Sequence, residues 1–200
     1  KSNIGKPYQK IAGKSLVEIN VDKARKFKQI KKIVVVYNKK DSKRAKSLKL
    51  KNVKFILGGK NRQQSAFKAL KYLISIKGIS KVLIHDAARP NFSKKLLNAI
   101  IRNIKNFRAI IPKIDIQDAV KQRIDSSLNE YILGRNRDNL FLTQTPQAFN
   151  LKEIYHLHKT NASKYKDDDF SLYMDLNKIK FIEGEKNNFK IKSLRSLSKK

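Results

Sequence analysis

Cysteine is absent from the 200-residue chain, which excludes a disulfide framework and any thiolate metal site. An intracellular, cytoplasmic protein fits that absence. Long apolar runs are missing too. The longest, such as "IVVV" at Ile33–Val36, fall far short of the roughly 20 residues that a membrane-spanning helix needs, and no signal-peptide pattern opens the chain. Acidic residues are few, 16 against 47 Lys plus Arg, for a formal charge of +31. Such a field draws anions, nucleic acid among them. The lysines are nevertheless spread over the whole length together with Asn and Ile, as translation of an AT-rich genome would leave them. Arginine, the preferred base-reading side chain, is scarce, so a specific nucleic-acid partner is not expected. A small anionic substrate is served equally well.

A hydrophobic fraction of 40% over 200 residues suits one domain, since chains near this length bury roughly 70% of their unfolded surface without staples. Neither an internal repeat nor a low-complexity linker marks a boundary. Strand-like apolar runs alternate with helix-like stretches: "KKIVVVYN", a lysine-rich helix from Asp41 to about Leu48, "VKFIL" from Val53, and a helix after "GGKNR". In that helix Ala66, Ala69, Leu70, Leu73 and Ile74 form one apolar stripe. Further on come a strand over Val82–Ile84, a helix over Lys94–Asn103 and a strand "RAIIP" ending at Pro112. The pattern predicts an α/β, Rossmann-like fold with a mostly parallel sheet and helices on both faces. From about 115 to 137 short alternations replace helical stripes and predict a projecting β-arm. Helices are expected at Leu151–Thr160 and Phe170–Leu176, and strands at Ile179–Glu183 and Phe189–Ile191.

Chemistry-bearing residues collect where strands end, the position at which open α/β sheets bind ligands. "GGKNR", "HDAARP" and "GEKNNFK" each follow a strand. Gly58 and Gly59 permit a tight turn before a helix whose first N–H groups suit an anion or a polar base edge; a plain turn is the alternative. Arg62 and Ser65 fall in that helix's first turn, at the cleft mouth. Asp86 could hold Mg2+ or a sugar hydroxyl, or pair with Arg89. His85 is read as structural, because nothing pairs it with a nucleophile. In "KDDDFSL", Lys166–Leu172, aspartates suit a helix start. Lys190, between Phe189 and Ile191, faces either solvent or the cleft.

Taken in order, "KPYQKIAGKSLVE", "GGKNRQQS", "VLIHDAARP", "TPQAF", "DDDFSL" and "NNFKI" resemble the segments of the 2-C-methyl-D-erythritol 4-phosphate cytidylyltransferases of the non-mevalonate isoprenoid pathway. The resemblance runs from about Lys6 to Ser193. It implies transfer of a cytidylyl group from CTP to methylerythritol phosphate, release of pyrophosphate, use of Mg2+, and a homodimer whose arm reaches the other subunit's site. Position by position, it implies that Lys6 stabilises charge at the triphosphate and that Gly59, Lys60 and Ser65 surround the cytosine, with Arg62 among the nucleotide-binding residues. It places Asp86 and Ala87 at the ribose and metal, and Arg89, Arg137, Thr145, Asp167 and Asp86 at the methylerythritol phosphate. Lys190 positions the attacking phosphate. Three positions depart from the pattern: Lys60 stands where aspartate is common, Asp167 where threonine stands, and Ala119 follows Asp118 where threonine is usual. A carboxylate at 167 repels a phosphate unless cations offset it. The alternatives are another sugar-phosphate nucleotidyltransferase or a basic nucleic-acid-binding module.

The family opens with a strand and an AAGxGxR loop, and nothing before Lys6 supplies either. The domain is therefore expected to be N-terminally incomplete, with strand and loop encoded upstream of Lys1. Without them the 200 residues are expected to be poorly stable and nearly inactive, with two strands deprived of a shared neighbour.

Overall fold

Polar residues placed just before apolar stripes set the helix starts. A computed structural model of the chain describes residues 5–125, 130–132, 134–162 and 166–191. After a short hairpin, β1 (Lys10–Ile11) and β2 (Lys14–Ser15), α1 (Leu16–Arg25) begins at a capping box. The Ser15 hydroxyl accepts the Glu18 N–H at 3.3 Å, while Glu18 accepts the Ser15 N–H at 2.8 Å. There follow β3 (Ile33–Tyr37), α2 (Ser42–Ser47) and β4 (Val53–Leu57); then α3 (Arg62–Ile74), β5 (Lys81–Ile84) and α4 (Lys94–Asn103). Asn61 and Ser93 cap α3 and α4 by accepting the N–H groups of Gln64 and Leu96.

β6 (Ala109–Asp115) runs through Pro112 rather than ending there. The proline is tolerated because the partner strand changes at that point: β10 pairs with Ala109 and Ile110, and β9 with Lys113 to Asp115. No ladder N–H is needed between them, and the Pro112 carbonyl still accepts the Gln144 N–H at 2.8 Å. The arm is an antiparallel hairpin of β7 (Gln122–Asp125) and β8 (Glu130–Ile132); its tip, 126–129, lies outside the described residues. The chain returns through β9 (Phe141–Thr143) and β10 (Gln147–Asn150) to α5 (Leu151–Thr160) and β11 (Ile179–Glu183).

The α/β class, with helices on both faces and a projecting β-arm, matches the sequence reading, but the main sheet is mixed rather than mostly parallel. Its path is β11-β6-β10-β5, with β9 also on β6. Only β11 and β6 pair in parallel within it; β10 is antiparallel to both β5 and β6. The crossover through α4 does leave β5 and β6 pointing the same way, one strand apart. The chain fills that space with β10, which arrives from the arm without a helical crossover and so enters reversed. Two further expectations fail: Phe170–Leu172 is a single 3-10 turn rather than a helix to Leu176, and Phe189–Ile191 forms no strand. β3 pairs in parallel with β4 alone and β5 with β10 alone among the described strands. Val34 of β3 nevertheless packs in one cluster with Val82 and Ile84 of β5. Each of these strands therefore keeps one edge without a ladder partner among the described residues.

Two-sided burial explains the unbroken apolar runs of the main sheet. Ala109 and Ile111 join Phe149, Leu70, Leu73 and Ile154 beneath α3 and α5. Ile110 and Ala148 point the other way, onto Leu96, Leu97 and Ile100 of α4. Phe149 has no exposed surface and stacks on Tyr173 at 5.9 Å between ring centroids. Truncating Phe149 to alanine is expected to cost about 3–5 kcal/mol. Urea unfolding checks this, and a loss under about 1 kcal/mol would contradict so central a place for the ring.

Candidate active site

The ends of β4, β5 and β11 converge on one cavity. Arg62 reaches it from the start of α3, Asp86 and Arg89 from the loop after β5, and Lys190 from the segment after β11. Thr145 and Asp167 line it as well. Six residues singled out in the sequence thus meet at one place. Asp86 is their centre: its Oδ2 lies 2.9 Å from Lys190 Nζ and 4.0 Å from Arg89 Nε, and its Oδ1 lies 3.5 Å from Arg62 Nε. Burial would raise the Asp86 pKa, but the ammonium of Lys190 and then the guanidinium of Arg62 more than offset it and hold the carboxyl below the ordinary aspartate value. The Asp86–Arg89 pair anticipated from sequence is the longest of the three contacts.

The charged loop is held from below by a neutral histidine. The carbonyl of Arg89 can only accept, so His85 Nε2 carries the proton it donates across 3.0 Å. Its Nδ1 then accepts from the Thr145 hydroxyl at 3.1 Å, and that hydroxyl accepts the Asp86 N–H at 3.0 Å. Burial pushes the imidazole pKa from 6.5 down to about 4, with the nearby Asp86 opposing that shift. His85 is thus structural, as its lack of a nucleophile partner suggested. The Thr145 proton is committed to it, leaving that hydroxyl able to accept but not to donate.

The loop before α3 makes the tight turn that its glycines permit. Its N–H groups are largely taken within the loop: Gly58 donates to the Tyr37 carbonyl, Gly59 to the Ser65 hydroxyl at 3.0 Å, and Lys60 to the Gln64 side chain at 2.9 Å. Glycine is required at 59, because a Cβ there would lie 2.4 Å from the Gln64 Cβ. Gly59, Lys60 and Ser65 shape this loop and do not line the cavity; nor does Ala87, whose carbonyl accepts from Asn20. Lys6 is exposed at the start of a 3-10 turn, Lys6–Tyr8. Arg137 is exposed in another, Arg137–Asn139, and donates to the Gln117 carbonyl at 2.7 Å. Neither lines the cavity.

Several site residues escaped the sequence reading. Of the three aspartates in "KDDDFSL", Asp167 is exposed and Asp168 caps its own turn, accepting from the N–H and hydroxyl of Ser171 and from Thr143 and Gln147. Asp169 is buried and receives Arg62 Nη2 at 2.6 Å and His158 Nε2 at 3.0 Å. Asn188, with no exposed surface, donates to the Thr145 carbonyl, and its own carbonyl accepts from Arg89 at 2.7 Å. It thereby fixes the segment that carries Lys190. No local signal distinguishes Asp169 and Asn188 from polar loop positions, since the partners named for them lie 11 to 107 residues away in the chain. The cavity is also less basic than the whole chain: Arg62, Arg89 and Lys190 face Asp86, Asp167 and Asp168.

The depressed histidine predicts a pH response. Between pH 6.5 and about 4 the unfolded chain takes up a proton at His85 that the native chain refuses, so stability falls as pH falls through that window, by on the order of 3 kcal/mol in all. Aspartates with lowered pKa act only below their ordinary values near 3.8, outside most of it. His85→Gln is expected to flatten the dependence when denaturation midpoints are followed from pH 7 to 4. Parallel curves for the two proteins would refute the assignment.

Comparison with known proteins identifies the family of the chain. A bifunctional IspD/IspF enzyme of Pelagibacter ubique (strain HTCC1062) is 44% identical over 191 residues, which are 95% of this chain and 50% of that protein. This chain therefore spans about half the length of that relative. The 2-C-methyl-D-erythritol 4-phosphate cytidylyltransferase of Wigglesworthia glossinidia brevipalpis is 33% identical, covering 93% of this chain and 81% of its own. The solved 4-diphosphocytidyl-2C-methyl-D-erythritol synthase of Anaerococcus prevotii DSM 20548 superposes with a TM-score of 0.81 at 31% identity, over 99% of this chain and 89% of that one. The family model for IspD, 2-C-methyl-D-erythritol 4-phosphate cytidylyltransferase, matches residues 1–199, and the chain belongs to that family.

Proposed function

We propose that this chain transfers the cytidylyl group of CTP to 2-C-methyl-D-erythritol 4-phosphate, giving 4-diphosphocytidyl-2-C-methyl-D-erythritol and pyrophosphate for isoprenoid precursor synthesis. The observation that carries the reading is the group of Arg62, Arg89 and Lys190 around one carboxylate at the strand ends, together with family membership. A phosphate oxygen of the acceptor attacks the α-phosphorus of CTP. The bond from that phosphorus to the α–β bridging oxygen breaks, and its electron pair leaves with pyrophosphate. No covalent enzyme intermediate is required. The chain's work is to bind two anions, align them, and meet the charge that builds on the phosphoryl oxygens.

Lys190 is suited to the attacking phosphate, since its ammonium is half-exposed in the cavity and, among the described residues, is paired with Asp86. Arg89, Thr145, Asp167 and Asp86 belong to the acceptor in this reading, with Thr145 accepting a hydroxyl proton. Arg62 belongs to the nucleotide, together with the loop of Gly59, Lys60 and Ser65 and with Ala87. The exposed Lys6 supplies charge to the triphosphate. Mg2+ fits as an ion carried mainly by substrate. Among the described residues no group of three potential ligands exists. Asp168 is saturated by hydrogen bonds, and Asp86 can give one oxygen, Arg62 approaching its Oδ1 no closer than 3.5 Å. When bound, the ion would neutralise phosphate charge.

A homodimer completes the reading. Arg137 stands at the base of the arm outside its own cavity, which suits a contribution to a partner's. Phe141 and Leu142 beside it expose 38% and 53% of their surface, as a subunit contact would use.

Pyrophosphate release from CTP with methylerythritol phosphate, against other nucleoside triphosphates and sugar phosphates, tests the proposal. CTP and methylerythritol phosphate are expected to be the preferred pair; equal or faster release with another pair would refute it. Lys190→Ala is expected to lower kcat about 100-fold with the denaturation midpoint nearly unchanged. An unchanged rate would remove Lys190 from the chemistry.

A further inference from the structure

We propose that Asp169 is a positioning residue that holds Arg62 for the nucleotide, with His158 fixing the carboxylate from behind. The inference rests on the cytidylyltransferase reading and adds to it a residue that never touches substrate. Asp169 opens the 3-10 turn Phe170–Leu172 but makes no side-chain cap to it; Asp168 does that local work. The Asp169 carboxylate has long-range partners instead. Oδ2 accepts Arg62 Nη2 at 2.6 Å, and Oδ1 accepts His158 Nε2 at 3.0 Å. The Asp169 and His158 side chains are each 1% exposed, and the imidazole lies along Phe67 with ring centroids 6.5 Å apart.

A purely structural role explains this poorly. A buried ion pair is weak evidence for stability, because well-packed apolar residues of the same volume commonly do as well. What the pair does fix is where the guanidinium sits. Arg62 stands between two carboxylates, and its Nε is 3.5 Å from Asp86 while Nη2 is 2.6 Å from Asp169. Without the inner carboxylate, Arg62 loses its 2.6 Å partner, and only the weaker pull of Asp168 is left to oppose collapse of the guanidinium flat onto Asp86. Such a bidentate pair would draw Arg62 away from a nucleotide and displace Lys190 from the same carboxylate. With Asp169 in place, one Nη2 hydrogen is committed and the remaining donors stay available in the cavity that Arg62 lines.

A double-mutant cycle in the full-length protein separates the two roles. CTP affinity is read by calorimetry and KM for CTP by pyrophosphate release, for wild type, Asp169→Asn, Arg62→Met and the double variant. Asp169→Asn keeps shape and an acceptor for His158 while removing the charge. Each single variant is expected to weaken CTP binding about tenfold or more, and the double variant no further than Arg62→Met alone, because Asp169 acts through Arg62. Should Arg62→Met fail to fold with an uncompensated carboxylate beneath it, Arg62→Lys takes its place in the cycle. Normal CTP binding by Asp169→Asn, or effects that multiply in the double variant, would overturn the inference. Wild-type protein that binds no CTP would overturn the functional reading itself, and the positioning role with it, a result recognisable because it needs no variant.

Discussion

The Asp86 carboxylate is the contact on which the rest of the site depends. Three cations from three separate chain segments approach it, and their mutual repulsion would drive them apart without it. The carboxylate is costly to bury, and it stays ionised because those cations surround it. An anionic ligand with several oxygens can take over the same partners. The cluster is thus organised in the free protein, and Arg62 is anchored a second time, by Asp169.

Around that centre the fold supplies rigidity through neutral hydrogen bonds. His85, Thr145 and Asn188 tie the loop after β5, the turn before β10 and the segment after β11 to one another. Each is nearly used up as donor or acceptor, so together they define where the charged side chains start, and only the Thr145 hydroxyl, which also lines the cavity, keeps an acceptor position open. Charge in the cavity is balanced as well, three cations against three carboxylates, and the excess of lysine lies elsewhere on the surface.

Much of this was legible in the sequence, and the boundary of what was legible is physical. α3, α4, β4 and β11 stand where apolar periodicity put them, whereas α1 from Leu16, which starts at a capping box, was not anticipated. The convergence of Arg62, Asp86, Arg89 and Lys190 followed from strand ends in an α/β sheet. Antiparallel β10 was not legible, because strand direction depends on the path of the arm rather than on composition. Nor was Asp169 distinguishable from Asp167 and Asp168, since burial of one aspartate in a run of three is decided by Arg62 and His158, both far away in sequence. That the Gly59 and Lys60 N–H groups before α3 bond to Ser65 and Gln64 was not legible either, since only side-chain placement reveals it.

The central claim is that Asp86 is ionised and clasped by cations before any ligand binds. Carbon-detected NMR titration of the Asp86 carboxyl in the free protein tests it directly. The structure requires a pKa below the ordinary aspartate value of 3.8 that moves upward in Lys190→Ala. A pKa at or above 3.8, or one indifferent to Lys190, would contradict the account.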